Sequence, residues 1–496
     1  MPRCGAVLGA MLGAALVVGA TEVSAQGWTE LLTPGWWKDP FKVDQSVAPT
    51  HNQEWKPSEA LPTVPEPKSG VVLSTEQALS LAELTEYALL NNPRTRSAWL
   101  SARAAAAAVG VAKGDDFPTI TGGYIAQRAR PVSGTTGLIA NWLNRWGPQI
   151  SLTYSIFDFG VGEARLEAAE ARLLAANLAQ NRVLQEVIFQ VEQAYYQLIG
   201  IDALVRVNEQ ALKNLETALD AARRRRDSGV ATVADVYRSE TQVAQARLTL
   251  TRSRGEFEKA RGQLASVVGM PVNSSFKVQT LAAPPQTQEA VKGITAYLQT
   301  AKLSRPDLVA AQAQVDAFRA TATAASRVGL PSIDFAANAQ QNLWYQTGNP
   351  VPLRPNNQTY FAGINVRIPI FSGFRDTYQQ RQAEMQAQQA EATRDALFRQ
   401  SQLEVWQAYY DLQTVNGSIA STEALVKSAE QTAQAVLARY QGGFGTILDL
   451  ITAQQDETSA RTQRIQSYLD WYTVLARLNL AVGAGNLMTT KTENKQ

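Results

Sequence analysis

Few side chains in this protein suit bond-making chemistry, and those with useful character recur in pairs. There is one cysteine, Cys4, and one histidine, His51. That removes disulfides, thiolate nucleophiles, His-based triads and Cys/His metal sets together. Carboxylates and guanidinium groups remain, at repeated positions. Asp235 follows Gly229 and Thr232; Asp449 follows Gly443 and Thr446 at the same spacing. A basic run, Arg223 to Arg226, precedes the first set. Acids near a helix start and cations near a helix end complement the helix dipole. No nucleophile–base pattern or phosphate loop accompanies them, so no catalytic, metal or cofactor-binding residue is expected.

These pairs belong to a duplication with an offset of about 214 residues. Gln190–Leu198 (QVEQAYYQL) returns as Glu404–Leu412 (EVWQAYYDL). Phe157 returns as Phe371, Pro118 as Pro331, and Asn92-Pro93 as Arg305-Pro306. A register that holds across helix, strand and turn signals marks a repeated supersecondary unit.

The elements that carry the pairs are helical hairpins and short strands. Residues 1–25 read as a secretory signal: Arg3, a small apolar stretch, and Val23-Ser24-Ala25 as the cleavage site after Ala25. Residues 26–73 form a Trp/Pro-rich arm without helical or strand period. The first repeat spans 74–286. It has a leading helix with Ser74 and Gln77 as a capping box, strands at about 119–130 and 148–157, and helices at about 160–226 and 232–267. The second spans 287–482, with a leading helix, strands at about 332–345 and 359–370, and helices at about 374–440 and 446–482; a tail, 483–496, follows. The longer helix of each pair should run on the order of 100 Å, beyond any compact core.

The strands alternate. Ile150, Leu152, Tyr154 and Ile156 share one face, and Gln149, Ser151, Thr153 and Ser155 the other. About ten residues suffice to cross an outer membrane at a tilt. Four strands cannot close a barrel and open edges are not tolerated in lipid, so other copies must complete the wall: two would give eight strands, three would give twelve and an open passage. The fold class expected is therefore an α+β membrane protein with a duplicated unit of long antiparallel helical hairpins. A formal net charge of +2 gives no nucleic-acid footprint.

From Ser74 to Val482 the chain resembles the TolC-like outer membrane efflux proteins. The resemblance rests on Asn91-Asn92-Pro93, Phe117-Pro118 and Leu330-Pro331 before strands, Ile156-Phe157 and Ile370-Phe371 after them, the two Ala-Tyr-Tyr segments, and the turns Asp227–Thr232 and Gln441–Thr446. It implies a homotrimer with a twelve-stranded barrel in the outer membrane of a Gram-negative bacterium, continued by a helical periplasmic tunnel. It implies an exit duct for a tripartite efflux pump or type I secretion system, partnered by a periplasmic adaptor (membrane fusion protein) and an inner-membrane pump of RND, ABC or MFS type. The resemblance assigns Asp449, Asp235 and Tyr440 to the periplasmic aperture, and Gly229, Val230, Ala231, Gly443 and Thr446 to the adaptor-contacting tip. It also marks two departures, Gly445 where some members carry an arginine link and Thr452 where a second acidic ring can lie. The competing class is a periplasmic coiled-coil adaptor without a pore.

Overall fold

In a computed structural model, residues 78–130, 142–280, 283–284, 293–346 and 356–483 are described. The signal with Ala25, the arm at 26–73, the Ser74/Gln77 box and the tail after Gly483 lie outside them. Among the described residues the elements run in two matching series. The first is α1 (Leu81–Asn91), α2 (Pro93–Gly114), β1 (Thr119–Ala129), β2 (Leu143–Phe157), α3 (Val161–Asp227) and α4 (Val233–Val268). The second is α5 (Ile294–Ser304), α6 (Pro306–Arg327), β3 (Ser332–Gln346), β4 (Asn356–Arg367), α7 (Arg375–Gln441) and α8 (Ile447–Val482).

Helix boundaries follow local chemistry. The first described helix is capped by Ser80, whose hydroxyl accepts from the Glu83 N–H while the Glu83 carboxylate accepts from the Ser80 N–H, a reciprocal box. Leu79 therefore lies outside the helix, bridged to Val278. Pro93 and Pro306 each open a helix, where a missing N–H costs nothing.

The four strands form one antiparallel sheet in the order β1-β2-β3-β4, so the β2–β3 pairing joins the two series. Its register stacks apolar rows across the sheet. Ile120 lies beside Leu152, Ala337 and Ala362 in turn; Tyr154 lies beside Phe335 and Ile364. Polar rows alternate with them, such as Ser155, Asp334 and Asn365. The apolar face is bare, with Ile120, Ile150, Tyr360 and Ile364 all more than half exposed.

Three strand limits differ from expectation, one being the start of β4 at Asn356 rather than 359. β2 begins at Leu143 rather than at Pro148. Gly147 and Pro148 interrupt the ladder to β3, but the chain stays in register and pairing resumes from Trp146 back to Leu143. β4 ends at Arg367, ahead of Ile368 and Ile370, because Arg367 lies opposite Ser332, the first residue of β3, and Pro331 and Pro369 offer no N–H to extend the ladder.

Two cores lie at mid-length of the two 67-residue helices, where the shorter return helices end. One gathers Leu84, Val187, Val191, Leu198, Leu264 and Val268 from α1, α3 and α4. The other gathers Val405, Leu412, Trp471, Leu478 and Val482 from α7 and α8, with Ala301 from α5. Between the hairpin ends a smaller cluster sets Ala218 and Ala222 of α3 against Tyr440 of α7 and Ile447, Leu450 and Ile451 of α8.

Candidate functional site

Both long hairpins reverse through the same backbone device. At the end of α3 the Val230 N–H donates to the Arg225 carbonyl and the Gly229 N–H to the Arg226 carbonyl, each at 2.8 Å. At the end of α7 the Phe444 N–H donates to the Arg439 carbonyl at 3.0 Å and the Gly443 N–H to the Tyr440 carbonyl at 3.1 Å. This paired pattern satisfies the orphan carbonyls of a helix end and needs a left-handed residue, which Gly229 (φ 75°) and Gly443 (φ 86°) supply.

The return helices start on matching caps. The Thr232 hydroxyl accepts from the Asp235 N–H, and the Asp235 carboxylate accepts from the Thr232 N–H and hydroxyl. Thr446 and Asp449 repeat every bond. The hydrogen bonds from the threonine hold both carboxyls below the usual carboxylate range. Both aspartates are thus anionic at neutral pH and aimed at their own helix start. Asp449 is exposed, while Asp235 is half-buried.

Of the expected aperture residues, the structure brings two together. Tyr440 is buried at 4 % exposure against Ala218 and Ala222 of α3 and Ile447, Leu450 and Ile451 of α8. Burial pushes its hydroxyl above the ordinary tyrosine value, against the pull of the Arg225 charge. Arg225 also helps keep Asp235 ionised, after the Thr232 bonds and the Arg238 charge. Asp449 is instead under the influence of Arg439. Asp235, Arg225 and Tyr440 form one electrostatic group; Asp449 stands in another.

The basic run divides by function. Arg223 pairs with Glu240 across the first hairpin, and Arg226 pairs with its neighbour Asp227. Arg225 crosses to the second hairpin, its Nη1 donating to the Tyr440 carbonyl at 2.8 Å and its guanidinium lying 4.7 Å from the ring centroid. The sequence reading treated the run as a dipole complement and missed this bond, since nothing local ties residues 215 positions apart. It also missed Phe444, which is 84 % exposed, as its counterpart Val230 is, at 66 %, in the matching position of the other turn. Two large apolar groups in water at a turn are a partner-facing signal that the repeat alignment contained. Ala231 is half-buried, and Thr446 is committed to its cap.

Comparison with known proteins gives a consistent picture. The chain matches the family model described as outer membrane efflux protein over residues 84–270 and 297–484, one match per series. It is 27% identical over 389 residues to protein CyaE of Bordetella pertussis, covering 78% of this chain and 80% of that one. It is 26% identical over 407 residues to the outer membrane efflux protein BepC of Brucella suis, covering 81% and 85%. Among solved structures, the outer-membrane channel OprN superimposes with a TM-score of 0.72 at 20% identity, covering 89% of this chain and 99% of that one, a likeness of fold.

Proposed function

This chain belongs to the outer membrane efflux protein family, and from that membership we propose that it forms the passive exit duct of a tripartite efflux pump or type I secretion system. The observation that carries the proposal is the sheet. Among the described residues it has two unpaired edges, β1 and β4, and a bare apolar face. Such a sheet enters lipid only when its edges are sealed. Three copies edge to edge supply twelve strands, enough for a wall around a passage. The long hairpins then continue the passage into the periplasm, and their turns form its far end.

In this reading the chain does no bond chemistry. Energy comes from an inner-membrane pump, and docking of a periplasmic adaptor moves the hairpin turns apart. Gly229, Val230, Ala231, Gly443 and Thr446 contact the adaptor, with Phe444 and Val230 as its apolar anchors. Three Asp449 carboxylates, one per copy, set a negative field at the entrance.

The test is made on protein extracted from outer membranes in detergent. A heat-sensitive, SDS-resistant trimer that conducts in planar bilayers is expected. A monomer soluble without detergent and silent in bilayers would overturn the duct. Asp449→Ala should change single-channel conductance or its block by divalent cations; unchanged values would remove Asp449 from the aperture.

A further inference from the structure

We infer that Arg225 is the residue that holds the two hairpin ends of one subunit together when the duct is closed. The inference rests on the duct reading for its consequence, and on this subunit's own geometry for its substance.

Arg225 sits in the last turn of α3, half-buried. Its side chain leaves the first hairpin and makes two contacts on the second, the Tyr440 carbonyl at 2.8 Å and the Tyr440 ring at 4.7 Å. The planar guanidinium suits both at once: it donates in its plane and stacks through its face. The carbonyl has room for it. At a helix end a carbonyl lacks its usual partner four residues on; this one takes the Gly443 N–H with one lone pair and Arg225 with the other. Because Gly443 is the left-handed residue of the turn, the arginine grips the same backbone oxygen that sets the turn.

Besides the apolar packing of Tyr440, Ile447, Leu450 and Ile451 on Ala218 and Ala222, the second hairpin's own turn offers no charged tether here among the described residues. That turn reads Gly442-Gly443-Phe444-Gly445. A Cβ on Gly445 would lie 3.0 Å from the Tyr440 nitrogen and 3.3 Å from the Arg439 carbonyl carbon, so the backbone closes over that position. Thr446 and Asp449 are bound to each other. Farther along, Gln455 donates to Gln242 at 2.8 Å, a neutral and exposed bond between the hairpins. Arg225 therefore supplies the charged link at the end of the lever, where a small angular opening gives the largest separation. Swinging the second hairpin away breaks the hydrogen bond and the stacking together, while the caps and turns stay whole.

The experiment compares wild type, Arg225→Ala, Arg225→Lys and Arg223→Ala as trimers in bilayers. It also measures hydrogen exchange of the 442–446 amides on the same preparations. Loss of a charge-assisted hydrogen bond corresponds to about a tenfold change in an equilibrium. Arg225→Ala should raise open probability about tenfold and speed exchange at Gly443. Arg225→Lys keeps the charge without the fork and should fall between. Arg223→Ala, which loses only a bond within the first hairpin, should match wild type in both readouts. Arg225→Ala that matches wild type in exchange and in open probability would overturn the inference. Faster exchange with every protein silent in bilayers would keep the link and sink the duct. If the alanine variant fails to assemble, the lysine variant decides by the same two readouts.

Discussion

At the end of α3 the carbonyl of Arg225 accepts the Val230 N–H; at the end of α7 the carbonyl of Arg439 accepts the Phe444 N–H. The following residues, Arg226 and Tyr440, accept from Gly229 and Gly443 in the same way. The side chains then part company. Arg225 reaches the other hairpin, whereas Arg439 is exposed and acts on Asp449 within its own turn. Backbone duplicated in this way is held by capping rules that act inside each copy. Side chains answer to neighbours, and within one chain the two copies have different neighbours.

The helix-to-helix bends show the same division. Asn92 donates its amide to the Val267 carbonyl at 2.8 Å, and Arg305, its counterpart, donates to the Ala481 carbonyl at 3.1 Å. An amide can be buried alone on such a bond. A guanidinium cannot, and Arg305, at 1 % exposure, is matched by Asp307 and Glu404. Glu192 and Trp406 are a further divergent pair. The glutamate is 7 % exposed and close enough to Tyr196 to raise its hydroxyl, while the tryptophan is 48 % exposed.

The largest expected effect separates the two bends. Arg305→Ala strips Asp307 and Glu404 of their buried partner and should cost about 3–5 kcal/mol. Asn92→Ala should cost about 1–2 kcal/mol, a cap and one hydrogen bond. Equal losses in denaturant unfolding of the detergent-solubilised protein would erase the distinction.

Next comes pH. Burial pushes the Glu192 carboxyl up to about 7 from its ordinary 4.5. Below that ordinary value the group is protonated in folded and unfolded chains alike, and the fold carries no penalty. As pH rises from about 4.5 to about 7 the unfolded chain ionises while the folded one stays protonated, so stability falls by up to about 3 kcal/mol and levels off above that range. Glu192→Gln should flatten the unfolding midpoint between pH 4.5 and 7. A slope that survives the substitution would assign the loss to another group.

The smallest effect tests sameness. Thr232→Ala and Thr446→Ala each remove one capping hydroxyl and should each cost about 1 kcal/mol. A clear inequality in amide exchange at the two helix starts would show that the turns are not equivalent after all.

Much of this molecule was legible before its coordinates. The two hairpins, their glycine turns and the alternating strands are written in periods and punctuation that act over a few residues. The near absence of cysteine and histidine was equally plain. The strand limits were less so. Leu143–Trp146 belong to β2 because β1 pairs with them without a break and β3 pairs with them beyond the Gly147-Pro148 gap, which no single-strand period reveals. The candidate site was legible as to place and not as to partners: Thr446 and Asp449 stood out by repetition, but their bond to each other appeared only with the cap.

The sequence alone determined the repeat, its helical and extended segments and the family pattern they form, because these depend on spacing along the chain. The tertiary structure alone decided that Arg225 meets Tyr440, that Arg305 is sealed between two carboxylates, and that Glu192 lies buried beside Tyr196. Those facts depend on which helix faces which, and a guanidinium or carboxylate takes its meaning from the group opposite it in space.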